Sequence, residues 1–306
     1  MIPILLGITL VTFFLFHVAG GDPAAQIAGK YATAEQVENI RKQIGVSGTL
    51  QEQFFGHLKQ VITFDFGRSW NSGRLVVDMI FGNSLDTSPI LNSLSLTLPA
   101  FVITIVIAIF IALVLVFRRG TLFDKTLMTI SLAAISISSL VYIVFLQFYL
   151  GYRWDIFPFR GWDSSWFYRW HFLQLPILIF VLLSLGSNIL FYRTVFMDEL
   201  FQDYVRTAKA KGLSNKVIMF KHILRNALIP IVTLVVMQVP FLLMGTLLLE
   251  SFFQIPGVGS LIYTAIQEGD FPVIKAVTFI SALLYMFFQL FSDLLYAVVD
   301  PKIQLR

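Results

Sequence analysis

The stretch LSLTLPAFVITIVIAIFIALVLVF, Leu94 to Phe117, contains no charged residue. Built as a helix, it is long enough to cross the roughly 30 Å hydrocarbon core of a bilayer. In lipid each backbone N–H and C=O must find a partner within its own segment, so an isolated run of this length is a helix. Transmembrane strands are shorter and alternate in polarity. Five more windows read the same way: Ile2–Ala19, Leu127–Leu150, Leu173–Val195, Leu228–Glu250 and Ala276–Val299. The composition agrees, with 57% hydrophobic and 13% charged residues against about 25% charged in a soluble domain. The expected fold is an all-α membrane protein of about six transmembrane helices, in which residues 1–306 form a single transmembrane domain.

The first window could be read as a signal peptide with a small-residue cleavage site at Val18-Ala19-Gly20. No Lys or Arg precedes it, as a signal peptide requires, so it reads as a span. The missing basic flank also raises an upstream start. Orientation follows from Lys and Arg near span ends. Arg118, Arg119 and Lys125 follow the second span. Arg206, Lys209, Lys211, Lys216, Lys221 and Arg225 follow the fourth, with Lys302 and Arg306 in the tail. These segments share one side, which places both termini in the cytoplasm. Gly20–Ser93 is then an external loop too long to be a bare connection. Within it Thr33-Ala34-Glu35-Gln36 reads as a capping box opening a helix to about Ile44 and closed by Gly45. A second amphipathic stretch runs from about Thr49 to Ile62. Such a structured loop is either a cap on the bundle or a docking surface. The second external loop, Gly151–His171, is dense in aromatics and reads as an interfacial belt, with solute stacking as the alternative.

Catalytic chemistry finds no foothold. No phosphate-binding loop is present, the four histidines are scattered, no metal-ligand spacing appears, and cysteine is absent. The chain should not hydrolyse ATP, needs no cofactor or metal, and shows nothing that points to nucleic acid. Polar groups inside spans are functional candidates by default. Gln147, Asn188, Gln238 and Gln289 are the candidates for a translocation path, with helix–helix hydrogen bonding as the plainer reading. Arg193, Glu250 and Asp293 lie near span ends.

The loop Phe196–Asn226 is basic, amphipathic and long for a connection. Thr207, Ala208 and Ala210 are small enough to seat a short helix in a groove on another protein, and Gly212 suits a helix stop. Contact with anionic lipid heads is the plainer reading. Here Tyr204-Val205-Arg206-Thr207-Ala208-Lys209-Ala210-Lys211-Gly212-Leu213, followed by Arg225-Asn226-Ala227-Leu228-Ile229-Pro230, resembles the cytoplasmic loop of bacterial ABC importer permeases. The likeness is to the dipeptide/oligopeptide/nickel branch (DppB/OppB-like). Glu250 to Gly259 resembles the family's Glu-x-x-Phe-x-x-Pro-Gly-x-Gly segment. Asp65-Phe66-Gly67-Arg68-Ser69, Asp270-Phe271-Pro272-Val273 and the C-terminal Asp293 to Lys302 continue the match in order along the chain. The Glu of the general importer signature Glu-Ala-Ala is absent, which resembles the peptide branch; the sequence departs from its relatives in lacking the short basic segment usual before the first span.

The resemblance implies a type I ABC importer permease fold in the bacterial cytoplasmic membrane. It implies a coupling loop carried by Tyr204, Arg206, Thr207, Ala208, Lys211, Gly212 and Leu213. It further implies a second homologous permease subunit, two ATP-binding subunits carrying ATP and Mg, and an extracytoplasmic solute-binding protein, all working by alternating access. An ATP-independent channel or secondary transporter is the rival reading. Such a protein would more often show charges deep in its spans or broken helices in corresponding halves; neither stands out, although Pro176, Pro230 and Pro240 could kink their helices.

Overall fold

In a computed structural model the structure describes residues 2–14, 24, 28, 32–43, 49–84 and 87–299. Helix α1 covers Ile2–Phe14; the rest of the first expected span, the expected Gly45 stop and the basic tail lie outside the described residues. Three short helices follow: α2 (Ala34–Gln43), α3 (Leu50–Thr63) and α4 (Val76–Phe81). The expected capping box opens α2, where the Gln36 N–H donates to Thr33 Oγ1 and the Thr33 N–H to Gln36 Oε1. A second box, Thr49 with Glu52, opens α3.

Helix α5 (Pro89–Phe117) starts at Ser88 with proline at its first turn, where a missing N–H costs nothing. Ala100, Thr104, Ala108 and Ala112 recur every fourth residue and are all buried. Such a stripe of small side chains lets another helix approach closely. The partner is α8 (Trp166–Leu200), whose Ile189, Tyr192 and Phe196 close over Ala108, Ala112 and Leu115.

The third expected span is not one straight helix. It forms α6 (Leu122–Ser136) and α7 (Ser139–Leu146), the latter extended by a π-helical turn Gln147–Arg153, and the two arms meet at 93°. Ile137 and Ser138 leave helical backbone, with ψ of 131° and 140°. Just before the break, Ser136 donates back to the Leu132 carbonyl, a bond that tends to bend helices. The Ser138 carbonyl then accepts from Val141 and Tyr142 and restarts the helix.

Helix α9 (Asp203–Ala210) follows α8. A turn at Asn215–Val217 and a π-helical turn at Ile218–Ile223 lead into α10 (Leu224–Met244). The fifth expected span is also interrupted. Gly245, at φ 70°, separates α10 from α11 (Leu247–Phe253). Prolines 230 and 240 lie inside α10 without ending it. Helices α12 (Val258–Glu268) and α13 (Phe271–Val299) complete the chain. The interruptions thus fall at Ile137-Ser138 and at Gly245 and not at the prolines expected to kink their helices. Among the described residues four helical segments are long and apolar enough to cross a membrane, or five if the bent pair counts as one span.

The 49–84 segment is a folded cap. Val61, Phe66, Val76 and Ile80 pack on Val258, Ala265, Val273 and Val277 of α12 and α13. Two motifs far apart in sequence join it there, since the buried Asp270 carboxylate accepts from Ser69 Oγ and from the Trp70 N–H. His57 is buried beside Phe13, and burial, then the nearby Lys275 charge, push its pKa from 6.5 down to about 4. The folded cap thus resists a proton that the unfolded chain accepts. The His57 contribution to stability should be full above pH 6.5 and be lost as pH drops toward 4, by on the order of 3 kcal/mol at most. His57→Phe should abolish this acid sensitivity, read as the thermal midpoint of the solubilised protein against pH. An unchanged pH dependence in that variant would assign the effect elsewhere.

Candidate functional site

The basic end of the bundle is built around α9. Val205 and Ala208 face inward and join a core with Leu113, Leu115 and Val116 of α5, Tyr192 and Phe196 of α8, and Ile218, Ile223 and Ala227. Ala208 is 5% exposed, so its smallness answers to packing within the chain and not to a groove on a partner. That corrects the reason for singling it out.

The opposite face of α9 and the turn after it are open. Arg206, Thr207, Lys209, Ala210, Lys211, Gly212 and Leu213 are exposed, as are Phe201, Val217 and Phe220 nearby. Gly212 has φ 75°, the left-handed conformation glycine adopts without strain. Its N–H donates to the Lys209 carbonyl, and the Leu213 N–H donates to the Ala208 carbonyl, a helix stop of the glycine-capped kind. Tyr204 ties the element down, with its hydroxyl donating to the Glu199 carboxylate and bonding the Asn226 side chain. Burial first, and then Glu199, push that phenol up to about 12, so it stays a donor at neutral pH. The Arg206–Asp203 pair at 3.5 Å is exposed and contributes little.

A part-buried ion pair braces this end. Arg193 Nε and a terminal Arg193 nitrogen donate to the two Asp124 carboxylate oxygens, each at 2.9 Å. Asp124 also accepts from the Gly120 N–H. The fork joins the start of α6 to the last turns of α8, two turns before α9. Arg119 lies over the Phe201 ring at 4.8 Å and adds a second tie between the same elements.

The opposite end is organised by Glu250, which is fully buried. Its carboxyl accepts from the Thr246 N–H at 2.9 Å and the Ser260 N–H at 3.1 Å, and bonds Ser93 Oγ and the Gly259 N–H. Ser93 in turn accepts from the Val258 N–H, and Asn92 donates to the Pro256 carbonyl. The node replaces backbone bonds lost where α10 breaks and where the chain turns into α12. It also explains the glycines of this segment. A Cβ at Gly245 or Gly257 would overlap the Glu250 carboxyl and Ser93. Sequence reading placed Glu250 near a span end and at the head of the Glu250–Gly259 motif, without a partner for its carboxyl; the close glycines of that motif were the available signal.

The four amides do not form one site. Gln147 donates to the Phe159 and Phe252 carbonyls and ties the aromatic loop to the end of α11. Asn188 bonds the Ser184 carbonyl within its own helix. Both act in packing. Gln238 and Gln289 lie on α10 and α13, half-buried. In the aromatic loop, Arg169 is buried between the Trp162 and Trp166 rings, at 4.4 and 4.5 Å, while Tyr152, Phe167 and Tyr168 remain exposed.

Apolar spans in a broken-helix bundle, with a short basic helix fixed at one end, define a multi-pass membrane protein. Residues 104–305 match the family of the binding-protein-dependent transport system inner membrane component, and residues 1–108 match its N-terminal counterpart. The chain belongs to this family. Its relatives include the glutathione transport system permease protein GsiC of Shigella flexneri serotype 5b (strain 8401), 33% identical over all of this chain and 96% of the relative. The protein of that name from Escherichia coli (strain K12) is 32% identical over the same shares. The chain is thus a non-enzymatic permease subunit of an ABC importer, a DppB/OppB-like inner-membrane component that works with other ABC components. The rival reading as an ATP-independent channel or secondary transporter falls with this membership.

Proposed function

We propose that this permease imports peptides or peptide-like solutes of the glutathione class by alternating access. Residues 203–214 would couple it to separate ATPase subunits. The carrying observation is the open face of α9 and its following turn, where Arg206 and Thr207, then Lys211 and Leu213, stand exposed beside a helix whose other face is locked into the core. A helix held this firmly can transmit a push, and exposed Leu213, Val217 and Phe220 beside lysines suit a protein groove with an acidic rim. The name shared by the relatives supports the solute class.

The working assembly is a second homologous permease subunit, two ATP-binding subunits that carry ATP and Mg, and an extracytoplasmic solute-binding protein. It sits in the bacterial cytoplasmic membrane in contact with lipid. The basic end faces the cytoplasm with both termini, and the 49–84 cap faces outward. Because the chain has no cysteine, sidedness is readable from single replacements. Ser72→Cys should react with an impermeant thiol reagent from outside, and Ser214→Cys should not. The reverse pattern would overturn the orientation.

Coupling is tested on the open face and not at Ala208, where a charge would disrupt the chain's own core. Ala210→Glu and Leu213→Asp alter exposed positions and should insert normally. Each should reduce co-purification of the ATPase subunits by about tenfold or more, as expected for a central contact residue. Gly212→Val meets no neighbour but strains the left-handed turn by about 1–3 kcal/mol, so it should weaken coupling without unfolding the bundle. Full complex formation and transport in all three would make the loop a lipid-facing connection.

A further inference from the structure

Helices α10 and α13 run antiparallel, and two contacts set their register. Ser281 Oγ meets Met244 Sδ at 2.8 Å, and the Phe241 and Tyr285 rings lie 6.1 Å apart. Gln238 precedes Phe241 by three residues and Gln289 follows Tyr285 by four, so each lies on the same helix face as its aromatic neighbour. The two amides therefore stand level with each other, one turn beyond the Phe241–Tyr285 pair. Neither forms a hydrogen bond to any described residue, unlike Gln147 and Asn188. One turn further along α13, the Ser292 hydroxyl is buried and also has no partner among the described residues.

A primary amide offers two N–H donors and a carbonyl with two lone pairs. Left unmet in hydrocarbon, such a group costs several kcal/mol. Two half-open amides at one level, with a buried hydroxyl one turn on, are a poor surface for lipid. They match water and the backbone of a peptide, which presents an N–H and a C=O at every residue. An uncharged pair of this kind also binds without selecting the charge of the cargo's side chains. We propose that Gln238 and Gln289 form an amide contact point on the translocation route, where they exchange hydrogen bonds with water and with the amides of the passing solute. The proposal rests on the importer reading above.

The absence of cysteine makes single replacements at positions 238 and 289 direct reporters. The thiolate reacts, and thiolate forms in water and not in lipid. In membrane vesicles holding the complete transporter, Gln238→Cys and Gln289→Cys should each react with a small water-soluble methanethiosulfonate at least about tenfold faster than Phe110→Cys, at an outward-facing apolar site of α5. Two replacements on different helices keep the test readable if one fails to assemble. Rates equal to that of Phe110→Cys would place the seam against lipid and overturn the proposal. Reaction only after detergent separates the second permease subunit would make the seam a subunit contact and overturn it equally. The assay uses no solute, so a mistaken cargo class leaves it unchanged, and a failure of ATPase coupling registers in the Leu213 variant instead.

Discussion

Glu250→Leu is expected to prevent the chain from accumulating in the membrane. The carboxyl accepts from the Thr246 and Ser260 N–H groups and bonds Ser93 and Gly259, in a site with no exposure. Leucine satisfies none of these partners. Each buried donor left unmet costs about 1–3 kcal/mol, so four together approach the 5–15 kcal/mol or so that holds a typical domain folded. Glu250→Gln keeps a carbonyl acceptor but turns an NH₂ group toward an N–H, so it should be intermediate: present at reduced level, with a lowered midpoint of heat-induced aggregation. Gly257→Ala tests the same node from its other side, since its methyl group would overlap the carboxyl. Wild-type abundance and thermal behaviour in the leucine variant would show that the broken α10–α11 junction is held by something other than Glu250.

The order of apolar windows was legible because the bilayer sets one length for all of them. The second, fourth and sixth windows fall within α5, α8 and α13. Hydropathy does not register backbone breaks, which explains the two misses. At Ile137-Ser138 the break follows Ser136 bonding back to its own helix, and at Gly245 a carboxyl five residues on supplies the acceptor for the Thr246 N–H. Neither changes the mean hydropathy of its window. The capping box at Thr33 was legible because its partners are three residues apart. The partners of Glu250 and Asp270 were not, since Ser93 and Ser69 lie more than a hundred residues away along the chain.

Among the candidate site residues, the spacing of small side chains in α9 identified a close contact but not its direction. Ala208 packs inward because Val205, one turn earlier, is equally buried and fixes which face is inside. The positive φ of Gly212 was legible from its place after the last lysines of the helix. The four span amides looked equivalent in sequence. Only the carbonyls released by the α11 turn and the aromatic loop separate Gln147 from Gln238.

Asp124→Ala should destabilise the protein by about 1–3 kcal/mol, because it leaves the part-buried Arg193 guanidinium without its counterion. The Arg193 side chain is 17% exposed and that of Asp124 5%, so water can replace little of what is lost. The double replacement Asp124→Leu with Arg193→Met removes both charges and both desolvation costs. It should recover most of the stability, as replacement of buried ion pairs by apolar side chains often does. Stability and coupling are expected to separate in this pair. The fork holds the start of α6 against α8, just ahead of the loop proposed to receive the ATPase stroke, and an apolar pair would pack there without fixing direction. The double variant should therefore assemble with the ATPase subunits and fold normally, yet import less solute per ATP hydrolysed than the parent. The measurement is uptake and hydrolysis in the same reconstituted vesicles, alongside thermal midpoints for the single and double variants. An undiminished transport-to-hydrolysis ratio in the double variant would confine the Asp124–Arg193 fork to folding.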